Sequence, residues 1–484
     1  MPTSAPTLHE RQTMDYDDEI LFSNFTYNPD YYYFLYIGDL KAYGLNTFLQ
    51  ETLNRRVYNK EVRFIAVIPD ICIQYNYANI FVINPEARLG AVDEELGRLN
   101  LGAFRKSCRI KYDHFISAVS ASKTIRALID TILKKQNQLY ISLYESIEEL
   151  TLDEIEGVTI LGPDKTIAKR FNSKIFQYQT LNGIVPMAEH HICDGLESLL
   201  QTTAGLRRQW GEGIFISTPY SAAGSNSAVT RNQEEVTSIF TDEDSLYLLS
   251  RYIPHTYDPT VLAVVANEND VYIAGIADQV IVGGNRFVGS LYPTELDAAS
   301  QQILRDYTVR VGKILGHHGY RGIFGCDYLI DHDGNVVFLE INARKQGTTL
   351  EFCLTLEQSL PEGSPSLMEL EYFAVTEDRF PKNTRELSSN HRNLHWGTYN
   401  YKIDTQKRTT GYIPQNIYER ETFRKVANGE LLKDFAILEH VGTNFYVMPG
   451  TFLARVVSVA TNREEVNEGL CQGVGFIQQT IEEA

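Results

Sequence analysis

The stretch FGCDYLIDHDGNVVFLEINAR, residues 324–344, limits what this chain can fold into more than any other segment. Two apolar runs flank Asp333-Gly334, a dipeptide favoured in two-residue hairpin turns. A turn centred there sets Asp327 opposite Glu340, Leu329 opposite Phe338 and Ile330 opposite Val337. Directly opposed residues lie about 4.5–5.5 Å apart at Cβ, where like charges repel. Both faces of the hairpin are apolar, so the two acids stand at the end of a largely buried element. Burying two carboxylates without compensation is costly or raises one pKa sharply. A cation between them removes the conflict.

Period-two alternation places Glu340, Asn342 and Arg344 on one face of the second strand. Two carboxylates and an amide oxygen are hard ligands suited to Mg2+, with Mn2+ as an alternative, and too few for the closed cage that calcium prefers. Magnesium held so sparsely takes its other ligands from water and nucleotide phosphates. Two ordinary readings stand beside this one: an acid pair sharing a proton, and a register slip that sends one acid to solvent.

With 484 residues and 43% hydrophobic content, the chain can bury several packed units. The net charge of −18, with no long Lys or Arg run, argues against nucleic acid or an anionic membrane as partner. No apolar stretch reaches the roughly 20 residues of a membrane helix. The polar N-terminus lacks a signal-like apolar core, so a cytoplasmic location is expected. Six scattered cysteines without a CxxC pair favour neither zinc nor a disulfide framework.

The alternation of apolar runs and helical patterns predicts an α/β protein. Residues 1–20 read as disordered, and 21–165 as an N-terminal α/β domain opened by the strand YYYFLYIG. In 166–360, GVTILGPDKTIAKRFNSKIFQYQTLNGIVP predicts a strand, a Gly-Pro turn and a helix from Asn172-Ser173 to Asn182-Gly183. Strands and a small-residue loop come next, then a helix at about 294–318 and the hairpin. Residues 361–484 read as a small α+β domain.

Gly325, Asp327, Glu340, Asn342 and Arg344 together resemble the G-x-D and E-x-N-x-R strands of the ATP-grasp superfamily. Over residues 155–355 the order of parts is similar to carboxylate-amine ligases of the pheganomycin-type peptide ligase branch. The resemblance implies a Rossmann-like pre-ATP-grasp domain before a core of two subdomains, 166–245 and 246–360. It implies that Asp327, Glu340 and Asn342 carry Mg2+ on ATP phosphates, and that Lys174 contacts phosphate. Arg344 would be catalytic, stabilising an acyl phosphate and the tetrahedral intermediate.

In the same comparison PYSAAGSNSA supplies Ser221, Gly224 and Ser225 as a phosphate loop, and LLSRYIP supplies backbone groups of Ser250, Arg251 and Ile253 to read adenine. Asp258 is a candidate for the ribose, Gln279 for the nucleotide and Arg286 for the substrate. FISTP departs from the pattern, because most relatives have a lysine before that proline; Arg207, Arg208 or Arg231 are candidate substitutes. His391 and His395, four residues apart, lack the Glu of HExxH and are set aside as a metal pair.

The implied reaction activates a carboxylate with ATP and joins it to an amine, releasing ADP and phosphate, with small acids and amines (amino acids or peptides) as partners. Two alternatives are an ATP-grasp ligase with a thiol acceptor (carrier protein or CoA) and a degenerate nucleotide-binding protein. A homodimer is expected only as the commonest oligomer.

Overall fold

The computed structural model describes residues 25–38, 44–56, 60–69, 80–83, 105–106, 111–221, 226–282, 286–387, 394–410, 419–438, 445–447, 449 and 452–483. The expected disordered segment 1–20, together with Gly224, Ser225 and His391, lies outside them.

The N-terminal part is a parallel sheet with strand order 80–82, 61–68, 31–37, 139–143, 158–161. Its strands are apolar on both faces, as parallel strands covered by helices must be: Phe34, Leu35, Tyr36 and Ile37 are all buried. Lys123–Gln136 closes one face with Ile125, Leu128, Ile129 and Ile132, and Ser122 caps its N-terminus by accepting from the Ile125 N–H. The strand order reverses between 31–37 and 139–143. In sheets of this kind, ligands bind outside the carboxyl ends of the strands at such a point. Residues 144–149 leave the sheet there.

Residues 165–181 form two helices rather than the single one expected. Asp164 accepts from the backbone N–H of Thr166 and Ile167, which starts Lys165–Asn172; Ser173 then caps Lys174–Leu181. The Gly-Pro turn before Asp164 concealed this earlier start. A four-stranded antiparallel sheet follows, in the order 190–194, 246–251, 214–217, 227–230.

The largest sheet runs 255–257, 322–331, 259–265, 271–282, 286–292, 395–402, 452–460, 433–438, with 336–342 paired to 322–331. Helix Ala298–His317 packs Leu304, Val311 and Leu315 onto it. Gly316 allows that contact, since a Cβ there would lie 2.5 Å from the Asn267 backbone. Strands 395–402, 433–438 and 452–460 thus extend the same sheet, with Trp396 stacked on Tyr292 at that seam, whereas 407–409, 445–447 and 481–483 form a separate four-stranded sheet with 105–106.

The hairpin forms with Asp327 opposite Glu340, as the turn arithmetic predicts, but by a different route. The two-residue turn does not form. The Asp331 carboxylate accepts from the N–H of Asp333 and Asn335, Gly334 adopts φ +83°, and the loop holds three residues. Leu329 therefore faces Val337, and Ile330 faces Val336, one place away from the predicted pairing. A bulge at Leu339 then shifts the register back and restores the pairing of the two acids.

Candidate active site

At the end of the hairpin the Asn342 amide donates to Asp327 Oδ2 at 2.9 Å, and Gln346 Nε2 lies 3.4 Å from Oδ1. Gly325 makes room for this contact: a Cβ at that position would stand 2.1 Å from the Gln346 side chain. Burial, and next the charge of Glu340, raise the Asp327 pKa, while hydrogen bonds from Thr260, Gln279 and Asn342 hold it back. The conflict inferred from the sequence is present in the fold. Lys174, at the first turn of its helix, makes a short ion pair with Glu340. The backbone N–H of Lys174 also donates to Pro219 O at 2.8 Å, which ties the 218–221 loop to the same helix.

These groups belong to a cleft between the four-stranded and large sheets. Lys174, Ser221, Ser250, Arg251, Ile253, Gln279, Asp327 and Glu340 all line it. Phe215, Val229, Leu248, Ile281 and Leu339 add apolar lining. The Arg251 N–H is already given to Glu189 O, and the Ile253 carbonyl accepts from His255 Nδ1 at 2.8 Å, so neither offers its full backbone edge to a base. Asp258 also lines the cleft, with Oδ1 3.0 Å from His255 Nε2; that hydrogen bond is the main reason the His255 pKa rises.

Arg207, Arg208 and Arg231 are not among the lining residues; Arg207 instead reaches Gln233 on the neighbouring helix. Arg286 lines neither this cleft nor the cavity beside it, and stands 3.8 Å from Asp404. Gln279 lines the cleft, whereas the adjacent Asp278 accepts from Thr294 Oγ1 and Arg463 NH2.

A second cavity opens on the far side of Glu340. Tyr144, Glu145, Glu148 and Glu149 line it from the N-terminal sheet, Lys169 and Asn172 from the first of the paired helices, and Asn342 and Arg344 from the hairpin. It shares Ser221 and Glu340 with the cleft. Arg344 Nε lies 3.5 Å from Glu145 Oε2, and Asn172 Nδ2 donates to Glu145 Oε1 at 3.1 Å. Burial raises the Glu145 pKa, against the pull of Arg344 and Asn172. The buried Lys345 donates to Leu143 O and pairs with Glu371 at 2.6 Å, fixing the strand end that carries Glu145.

Glu145, Asn172, His255 and Gln346 were not read from the sequence. Only Gln346 left a signal there, as the next step of the alternation 340, 342, 344. Among the described residues no group of three or more His, Cys, Asp or Glu gathers around one point. The set at the hairpin is two carboxylates and an amide, as its spacing implied. Also among the described residues, no helix is long and apolar enough to cross a membrane.

Residues 173–348 match the ATP-grasp domain family. The chain is 24% identical over 209 residues to the [butirosin acyl-carrier protein]–L-glutamate ligase of Niallia circulans, covering 41% of this chain and 49% of that protein. It is 30% identical over 92 residues to the L-propargylglycine–L-glutamate ligase of Streptantibioticus cattleyicolor, covering 19% and 18%. It therefore spans about half of the first relative and under a fifth of the second. Among solved structures, biotin carboxylase from Campylobacter jejuni in an ATP complex matches with TM-score 0.60 and 14% identity over 93% of this chain and 91% of that one. Carboxyaminoimidazole ribonucleotide synthase from Aspergillus clavatus complexed with ATP matches with TM-score 0.55 and 14% identity over 94% and 100%. At these identities the structural matches speak for the fold alone. The hairpin and the cleft beside it lie within the matched segment, so residues 173–348 of this chain form an ATP-grasp domain.

Proposed function

We propose that this protein is an ATP-dependent carboxylate-amine ligase that forms an amide or peptide bond through an acyl phosphate, releasing ADP and phosphate. The observation that carries the reading is that two cavities meet at Glu340, with Asp327 and Lys174 on one side of the meeting point and Asn342 and Arg344 on the other. Nucleotide occupies the cleft, its base among Phe215, Val229 and Leu248 and its phosphates toward Lys174 and the 218–221 loop. The acid and amine occupy the second cavity.

Asp327, Glu340 and the Asn342 oxygen fit a Mg2+ ion, because the Lys174 contact falls on Glu340 and leaves the buried Asp327 opposite it with a raised pKa. When bound, that ion would neutralise phosphate charge. Arg344 holds a carboxylate oxygen of the acid in line with the terminal phosphate. That oxygen attacks the γ-phosphorus, and the bond to ADP breaks. The amine nitrogen next attacks the acyl carbon and phosphate leaves, with Arg344 facing the oxyanion that develops between these steps. Glu145 and Asn172 keep the guanidinium pointed at the cavity.

A second reading has one observation in its favour, the relative named as a ligase of L-glutamate to an acyl-carrier protein. There the same acyl phosphate would pass to a thiol. ADP release measured across pairs of amino acids or peptides, with amine and thiol acceptors in parallel and products identified by mass, separates the two. ATP binding without turnover by any acceptor would defeat both.

A further inference from the structure

Ser217 ends the strand Ile214–Ser217, whose side chains alternate cleanly between two environments. Ile214 and Ile216 join the core of the four-stranded sheet, while Phe215 and Ser217 line the nucleotide cleft. Ser217 is paired with Leu248 on one side and Ser227 on the other, both of which also line the cleft. It is 0% exposed, yet its hydroxyl has no hydrogen-bond partner among the described residues. A buried hydroxyl left unpaired costs roughly 1–3 kcal/mol, and a native fold keeps few of them. Neighbouring hydroxyls are used: Thr230 Oγ1 donates to Ile214 O, and Thr218 Oγ1 to Tyr220 O.

Position along the cleft says which part of a ligand would meet it. Two residues of strand separate Ser217 from Phe215, about 6.6 Å along the wall. Two residues further on, Pro219 O accepts from the N–H of Lys174. Ser217 thus lies along the strand between Phe215 and the loop that is tied to Lys174.

We propose that the Ser217 hydroxyl is a nucleotide-binding group, hydrogen-bonded to the bound adenine nucleotide between its base and its β-phosphate. This rests on the cleft being the ATP site. A group on that side of the phosphates meets ADP and ATP alike, so its contribution is the same for both.

The test is calorimetric titration of the full chain and its Ser217→Ala variant with ATP and with ADP, each with Mg2+, beside thermal unfolding without nucleotide. We expect the variant to bind both nucleotides roughly 3- to 10-fold more weakly, the worth of one hydrogen bond. Its Tm without nucleotide should stay level or rise, because no protein partner is lost. Equal affinity in variant and parent overturns the assignment, as does a loss confined to ATP or a lowered Tm without nucleotide. A parent protein that binds neither nucleotide overturns the reading of the cleft itself, and this inference with it.

Discussion

The cleft and the second cavity share a wall at Glu340 and Ser221 but are built differently. The polar groups of the cleft stand mostly on regular strands or the first turn of a helix, where the backbone fixes their direction: Asp327, Glu340, Gln279, Ser217, Lys174. The second cavity takes much of its lining from residues 144–149, which have just left a parallel strand, held across to the hairpin by the buried Lys345. The difference separates a rigid half, suited to one unvarying ligand, from a half whose lining is set by a loop and a docking contact. Chemistry and specificity should then come apart under mutation.

The largest expected effect tests the shared wall. Glu340→Gln keeps the size of the side chain and removes one of the two opposed charges, so ADP release with any competent acid and amine should fall by roughly 10²–10³-fold. Chelation of divalent cations should abolish it. Unchanged turnover in the variant would mean that the hairpin is not the reacting centre. Arg344→Ala comes next, and it sharpens the division. Its guanidinium lies on the cavity side, so Kd for ATP should move less than about threefold while turnover falls by about 10²-fold. Arg344→Lys should recover little of this, since an ammonium does not reproduce the planar fork of a guanidinium. A parallel loss of ATP affinity in either variant would erase the distinction between the two halves.

The same difference explains what was legible beforehand. The hairpin could be read because alternation and turn chemistry are local, and a one-residue error in the turn was cancelled by a bulge that nothing in the sequence announced. The pairing of Asp327 with Glu340 was thus correct on a partly wrong premise. Lys174, Ser250 and Gln279 line the expected cleft because resemblance in the order of parts carries strand positions well. Arg286 failed to reach either cavity, since a residue beside a Gly-rich loop takes its direction from contacts that spacing does not encode. Glu145 was invisible for a related reason. It lies about 200 residues before Arg344 in the chain, and only the folding of the N-terminal sheet against the hairpin brings them together. The earlier start at Asp164 was present as a capping residue and passed over in favour of the following Ser173.

Glu145→Gln probes the loop-built half alone. It weakens the hold on Arg344 without touching the cleft, so KM for the carboxylate substrate should rise by about tenfold, with ATP affinity unchanged. An effect on ATP binding, or none on either substrate, would remove Glu145 from the positioning role assigned to it.

The smallest effect concerns stability, and its sign follows from burial. Glu145 has its pKa raised in the folded protein, chiefly by desolvation. A carboxyl raised in this way penalises the folded state at every pH above its folded pKa, and the penalty fades as pH falls toward the unfolded value of about 4.3. Gln cannot ionise, so the variant should unfold on the order of 1–2 °C above the parent near pH 8 and lose that advantage toward pH 4. A residue kept for packing would show the opposite sign, with the variant less stable at every pH. A gain in stability at the pH where KM worsens would mark Glu145 as a charge retained at some cost to the fold, for what it does to Arg344. That is the behaviour expected of the adjustable half of the site and not of the rigid one.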